Sequence, residues 1–157
     1  VCEIANDNAT GQIIISGDKE TVSLFQKSLK EKKIKSIPLK VSAPFHCSLM
    51  QSAAENMKNK IKKTKFENLT HKIVNNVTAK PEENAEKIKE LLVEQIFSTV
   101  RWRESILLMS KNGVNNFVEI GPGKVLTGMV KRTIKNSNCF SINSIADIKN
   151  LPNEFKK

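Results

Sequence analysis

The segment Val41-Ser42-Ala43-Pro44-Phe45-His46-Cys47-Ser48-Leu49-Met50 carries one of only two histidines in the chain, directly after an apolar run that contains a proline. Histidine is the side chain best poised to move protons near neutral pH. Pro44, two residues earlier, restricts the backbone on the approach. Covalent catalysis by such a base needs a nucleophile. Cys47 and Ser48 are the local options, but adjacent residues rarely reach the required geometry, and no GxSxG elbow is present. The residues alone therefore leave two readings open at even odds: a base without an obvious nucleophile, or a helix-entry loop with an exposed histidine. Cys47 reads as a small buried hydrophobe.

Other polar positions invite chemistry less strongly. Gln95 interrupts an apolar helical face, four residues from Leu91 and seven from Ile88. It is either a buried amide that needs a partner or a helix-end residue at the rim. Gly121-Pro122-Gly123-Lys124 joins a strand to a helix, where phosphate can bind. It lacks the spacing of a P-loop or a dinucleotide fingerprint, so a tight structural turn is the favoured reading. Asn6, Asn8 and Gln12 place three amides around one expected turn, where they can satisfy the turn backbone. His71 reads as a surface residue. There is no CxxC, no HExxH and no carboxylate–histidine cluster, so a metal site is not expected.

The elements that must position these residues follow from periodicity and capping. Val1–Ala5 and Gln12–Gly17 read as strands around a turn over Asn6–Gly11. Asp18 caps a helix with Val22, Phe25 and Leu29 on one face, closed by the basic stretch Lys30–Lys33. Lys35–Val41, with Pro38, reads as an edge strand. Met50, Ala53, Ala54, Met57 and Ile61 form the stripe of the helix that His46 precedes. Lys72–Thr78 is expected as a strand, and Pro81 and Asn84 to open a helix with Ile88, Leu91, Leu92 and Ile96 inward. Trp102, Ile106 and Met109 mark a helix ended by Gly113. Strand Asn116–Ile120, a helix through Leu126, Met129, Val130 and Thr133, and strand Cys139–Asn143 follow, with weak helix or coil after Ser144. Alternating strand and helix after His46 indicates α/β layering.

Composition sets the outer limits. The chain has 157 residues, of which 39% are hydrophobic and 27% charged, enough for a real core. No apolar run approaches the ~20 residues that span a bilayer. The start, Val1–Asn6, does not read as a signal peptide, and the lack of an initiator Met fits a piece of a longer chain. Three widely spaced cysteines, Cys2, Cys47 and Cys139, point to reduced thiols and a cytoplasmic setting. The net charge is +10, and only Arg101, Arg103 and Arg132 are arginines. Such a surface steers toward an acidic partner. Nucleic acid is disfavoured, because Tyr is absent, Trp102 is alone and the lysines are scattered. AT-biased coding would equally enrich Lys, Asn and Ile.

Five motifs, in order and spacing, carry a resemblance. They are Asn6-Asp7-Asn8-Ala9-Thr10-Gly11-Gln12 through Gly17, Ala43-Pro44-Phe45-His46-Cys47-Ser48-Leu49-Met50, Val74-Asn75-Asn76-Val77, Gln95 through Val100-Arg101-Trp102, and Glu119-Ile120-Gly121-Pro122-Gly123-Lys124 through Gly128. The chain resembles the C-terminal half of bacterial malonyl-CoA:acyl carrier protein transacylases. The resemblance implies an α/β fold: the C-terminal part of an α/β-hydrolase-like acyltransferase domain plus an incomplete ferredoxin-like small subdomain. Residues 1–42 would belong to the small subdomain and residues 43–157 to the large one. It implies malonyl transfer from coenzyme A to acyl carrier protein in fatty-acid biosynthesis, with the coenzyme A thioester as substrate and no bound cofactor. His46 would be the base and the Gln95 backbone carbonyl its orienting group. Phe45 would crowd an α-methyl group and so select malonyl. Asn6, Asn8, Gln12 and Lys35 would lie near coenzyme A or the carrier's phosphopantetheine. The family's serine elbow (GHSxGE), carboxylate-binding arginine and oxyanion glutamine have no counterpart here. The isolated chain is accordingly expected to be inactive, with an N-terminal half of the same enzyme or a dimer partner covering its open core. The alternative is a truncated, non-enzymatic binding module or one half of a split complex.

Overall fold

The computed structural model of the chain describes residues 1–67 and 69–155. An antiparallel hairpin opens it: β1 (Cys2–Ala9) and β2 (Gln12–Gly17), paired from Cys2 against Gly17 to Ala9 against Gln12. The turn is only Thr10-Gly11, with Gly11 at φ 76°, a region where glycine meets no steric penalty. The expectation of a turn over Asn6–Gly11 is therefore corrected. β1 continues through Asn6, Asp7 and Asn8, bulging between Ile4 and Asn6 and between Asp7 and Ala9. Turn propensity loses here to tertiary partners. Asn6 bridges Val100, Asn8 is buried, and Asp7 accepts a forked pair from Arg103, Nε at 2.8 Å and Nη2 at 2.6 Å. The hairpin's far end also depends on a missing side chain. A Cβ on Gly17 would stand 1.9 Å from the Val1 carbonyl oxygen.

Helix α1 (Lys19–Glu31) starts as expected at Asp18, whose Oδ1 accepts the Thr21 N–H at 2.8 Å. Its end winds back on itself: Lys33 N–H donates to Lys30 O and Ile34 N–H to Leu29 O, with Lys33 at φ 58°. Those two bonds satisfy carbonyls that a helix end leaves free. The following Lys35–Val41 is not a strand. It pairs with no sheet among the described residues, and it is exposed throughout. The alternation of Ile37, Leu39 and Val41 prepares a strand that finds no neighbour to hydrogen-bond.

After His46, a short 3-10 turn (Ser48–Met50) runs into α2 (Gln51–Lys63). The expected strand Lys72–Thr78 is cut to β3 (Ile73–Val74), paired with β4 (Pro81–Glu82). Asn75 ends it, because its Oδ1 accepts the Val77 and Thr78 N–H groups at 3.1 and 3.0 Å. Such a local side-chain turn competes directly with the ladder. Pro81 consequently lies in a strand rather than at a helix start. Helix α3 (Ala85–Glu94) begins after Asn84, whose Oδ1 accepts Lys87 N–H at 2.9 Å. Then come α4 (Trp102–Lys111), β5 (Asn116–Ile120), α5 (Val125–Thr133) and β6 (Asn138–Ile142), one residue earlier than the spacing predicts. β5 and β6 are parallel, in register from Asn116 against Asn138 to Ile120 against Ile142. The expected tail of weak helix holds α6 (Ile145–Lys149) and a 3-10 turn at Asn153–Phe155; residues 156–157 lie outside the described residues.

The core forms where α4 and α5 pack on β1. Ala5 and Ala9 present small side chains there, with Ile106 of α4 and Met129 and Val130 of α5 also buried. Behind it, α2 packs on α3 through Ala54, Ile88 and Leu91. Two apolar surfaces stand open. On the hairpin side Ile4, Ile13, Leu24 and Phe25 are exposed, and α1 buries no residue at all. On the other side Ile120 is 80% exposed at the end of β5, although parallel strands are normally covered on both faces.

Candidate active site

His46 lies where the irregular stretch 34–47 meets the Ser48–Lys63 helical run. Its backbone is left-handed, at φ 59°, which costs an L-residue about 1–2 kcal/mol. Such a conformation persists only where the surroundings fix it. Three contacts do so. Cys47 is fully buried, with its Sγ donating to Pro44 O at 3.1 Å. The Ser48 N–H and Oγ–H both donate to the Glu3 carboxylate, at 2.9 and 2.6 Å. The imidazole Nδ1 stands 2.9 Å from the Gln95 carbonyl oxygen.

That carbonyl is available for a physical reason. Gln95 is the C-cap of α3, and the chain then leaves the helix through bonds that span three residues rather than four, Ile96 N–H to Val93 O and Phe97 N–H to Glu94 O. A helix end leaves its last carbonyls without intrahelical donors, and the imidazole supplies one. A carbonyl can only accept, so Nδ1 carries the proton and Nε2 of the neutral ring holds the free lone pair. The arrangement fixes one tautomer of the imidazole and orients the ring without burying a second charge. The sequence left Gln95 as either a buried amide or a rim residue. It is a helix-end residue, and what it contributes to the contact is its backbone.

The local nucleophile options fall away. The Cys47 thiol is buried on Pro44, and the Ser48 hydroxyl is taken by Glu3. Phe45 precedes His46 and is half exposed. The three amides do not share one turn. Asn6 and Asn8 lie in β1, and Gln12 opens β2, its Oε1 accepting from Arg132 Nη2 at 2.6 Å. Lys35 is exposed, in the unpaired stretch that precedes His46. It lines a groove with Lys27, Lys30 and Lys33. His71 is exposed beside Thr70. Among the described residues no three of His, Cys, Asp and Glu come together as a metal site, and no helix is long and apolar enough to cross a membrane. All three cysteines are free. Glu3 has no sequence signal, because it meets Ser48 across 45 residues.

The Gly121-Pro122-Gly123 turn is already occupied by the chain itself. The Glu119 carboxylate accepts Leu126 N–H at 3.1 Å and Thr127 N–H at 2.7 Å, and Asn143 Oδ1 accepts Gly123 N–H at 2.6 Å. The N-terminus of α5 thus holds a carboxylate, which answers the phosphate question for this turn. The Thr127 N–H, before the other donors, holds Glu119 below the ordinary value of 4.5. A depressed carboxylate stabilises the fold above its unfolded pKa and loses that contribution as pH falls through the folded one. A Glu119→Gln variant should therefore show a shallower loss of melting temperature than the parent as pH drops from about 5 to about 3. Identical acid limbs in the two proteins would refute the assignment.

The structure is thus an α/β fold in which His46 stands at a helix mouth with its ring set against the Gln95 backbone carbonyl. Residues 2–156 match the acyl transferase domain family, and the chain belongs to that family. Within it, the chain is 44% identical over 131 residues to the malonyl CoA-acyl carrier protein transacylase of Bacillus subtilis, covering 83% of this chain and 41% of that protein. It superposes with TM-score 0.91 and 42% identity on the acyl-carrier-protein-S-malonyltransferase of Bartonella henselae, covering 96% of this chain and 48% of that one. A further neighbour is a malonyl-transacylase solved with its type II PKS acyl-carrier protein, with TM-score 0.89, 36% identity, and coverage of 95% and 48%. The chain spans about half the length of the curated relatives it matches, and aligns as their C-terminal half.

Proposed function

We propose that this chain supplies the general-base half of malonyl transfer from coenzyme A to acyl carrier protein in fatty-acid biosynthesis. The contact between His46 Nδ1 and Gln95 O carries the reading, because it leaves Nε2 as the basic atom. The nucleophile would be a serine from an upstream half. Its Oγ attacks the malonyl thioester as His46 Nε2 takes the hydroxyl proton, and that proton leaves with the coenzyme A sulfur. His46 then takes the proton of the carrier's phosphopantetheine thiol as its sulfur attacks the acyl-serine, and returns it to the serine oxygen. The coenzyme A thioester is substrate, and the chemistry asks for no resident cofactor. Asn6, Asn8, Gln12 and Lys35 are assigned to the approach of coenzyme A or phosphopantetheine. The lysine-lined groove at Lys35 supports an acidic carrier as partner. We place the chain in the cytoplasm.

In this reading residues 1–42 belong to a ferredoxin-like small subdomain that lacks neighbours, and residues 43–157 to the hydrolase-like large one. The open faces at Ile4, Ile13 and Phe25 and at Ile120 support cover by the nucleophile-bearing half, or by a second copy. The isolated chain should then be inactive. The test joins it, in one polypeptide or by co-expression, to the upstream half of the Bartonella henselae relative and follows malonyl transfer to holo carrier protein. Transfer by the joined enzyme and none by the isolated chain is expected. Serine-linked malonyl label on the isolated chain would sink the reading.

Phe45 sets the acyl choice. A ring beside the base crowds an α-methyl group, and one methyl is worth about 1–3 kcal/mol of discrimination. Phe45→Ser in the joined enzyme should raise methylmalonyl relative to malonyl transfer roughly 10-fold or more, read as a ratio of kcat/KM values. An unchanged ratio counts against the role.

A further inference from the structure

We propose that Glu3 is a positioning residue for His46, its carboxylate holding the left-handed turn that aims the imidazole. The inference rests on the reading of His46 as the base. The chain reaches His46 from residues 34–41, which pair with no sheet among the described residues, so the approach ties the turn to no other element by strand pairing. The ring's own tether, to Gln95 O, holds one atom. The backbone just past the ring is held from β1, where Glu3 uses both carboxylate oxygens on one residue: Oε2 accepts Ser48 N–H and Oε1 accepts Ser48 Oγ–H. Ser48 N–H is the first amide of the helical run, which has no donor-satisfying carbonyl of its own, and a negative charge is favoured there. Cys47, between His46 and Ser48, is buried. The two residues after the base are therefore fixed at two points, and the carboxylate is the one that comes from a separate element. The Ser48 hydroxyl and then its amide also hold the Glu3 carboxyl below the usual range, so it is charged at neutral pH.

A plain helix cap would show the same bonds, so the test must separate positioning from stability. In the joined two-half enzyme, Glu3→Ala should lower kcat by roughly 10- to 100-fold, the scale of a misplaced catalytic group. KM for malonyl-CoA should stay within about twofold, as a transition-state-only loss requires. Glu3→Gln, whose amide oxygen still accepts Ser48 N–H, should recover most of the rate. The Nδ1–H signal of His46, identified by its loss in His46→Ala, should broaden in Glu3→Ala and sharpen again in Glu3→Gln. If Glu3→Ala does not fold, Ser48→Ala, which removes only the hydroxyl bond, carries the test with a several-fold loss of kcat. Parental kcat and an unchanged signal in Glu3→Ala, or in Ser48→Ala where that variant stands in, overturn the inference while a dead His46→Ala leaves the proposed function standing. A lowered melting temperature with parental kcat assigns Glu3 to capping alone and also overturns it. An active His46→Ala overturns the proposed function itself.

Discussion

Replacing His46 by alanine in the joined enzyme is expected to lower malonyl transfer by roughly 10²- to 10⁴-fold, the range for losing a general base. The loss should fall on both half-reactions, because in the proposed reaction the same Nε2 would receive the serine proton and then the carrier-thiol proton. It should appear in kcat with KM little changed, since the imidazole acts when the proton moves rather than when substrate docks. Alanine also enters a left-handed position that suits it poorly, so a second variant separates the two effects. Asparagine tolerates φ near +60°; the position itself stands at 59°. His46→Asn should therefore keep the loop and the melting temperature while losing the rate. Measured burst and steady-state rates decide it: an Asn variant at even half the parental rate would remove His46 from the chemistry.

The second large effect is on stability. Ile106 is 1% exposed on α4, the helix packed against β1. Ile106→Ala is expected to cost about 2–5 kcal/mol, from lost transfer energy plus the cavity left behind. Native domains have only about 5–15 kcal/mol in total, so a loss of this size is a large share of it. The alanine variant alone should thus be largely unfolded or aggregated, while Ile106→Val should lose only about 0.5–1.5 kcal/mol. Denaturant midpoints of the two variants test the ranking. Equal midpoints would mean that the site collapses freely and is no core.

The helices were the legible part of this fold. Asp18 and Asn84 announce their helices through caps whose mechanism is local, and the expected stripes bury in part: Ala54 of α2, Ile106 of α4 and Met129 and Val130 of α5 are buried, whereas Met57 and Leu126 are exposed. The strands were less so, because pairing is decided elsewhere in the chain. Asn6-Asp7-Asn8 has turn chemistry, yet Val100 and Arg103 draw it into β1. Lys35–Val41 has strand alternation and no strand to pair with. At the His46 segment the residue chemistry did not reveal what orients the ring. Its orienting partner acts through a backbone carbonyl, and no side-chain type at position 95 could reveal that. The motif spacing shared with known transacylases supplied the pairing that residue chemistry could not. Glu3 went unseen for the same reason as most capping across distant elements: one carboxylate in a strand carries no local signature.

The crossing at Val100 has a topological consequence. Val100 N–H donates to Ala5 O at 2.8 Å and Asp7 N–H donates to Val100 O at 2.9 Å, with Thr99 Oγ–H on Ile4 O at 2.6 Å. Follow the contacts outward from β1. Glu3 reaches Ser48, Ser48 adjoins the His46 turn, His46 reaches Gln95, and five residues later the chain is riveted back onto β1 at Val100. The circuit is closed, so no member can swing alone; a displacement anywhere in it must be shared around the whole ring. The amides of Asp7, Ser48 and Val100 should then exchange hydrogen in a single opening event rather than in three.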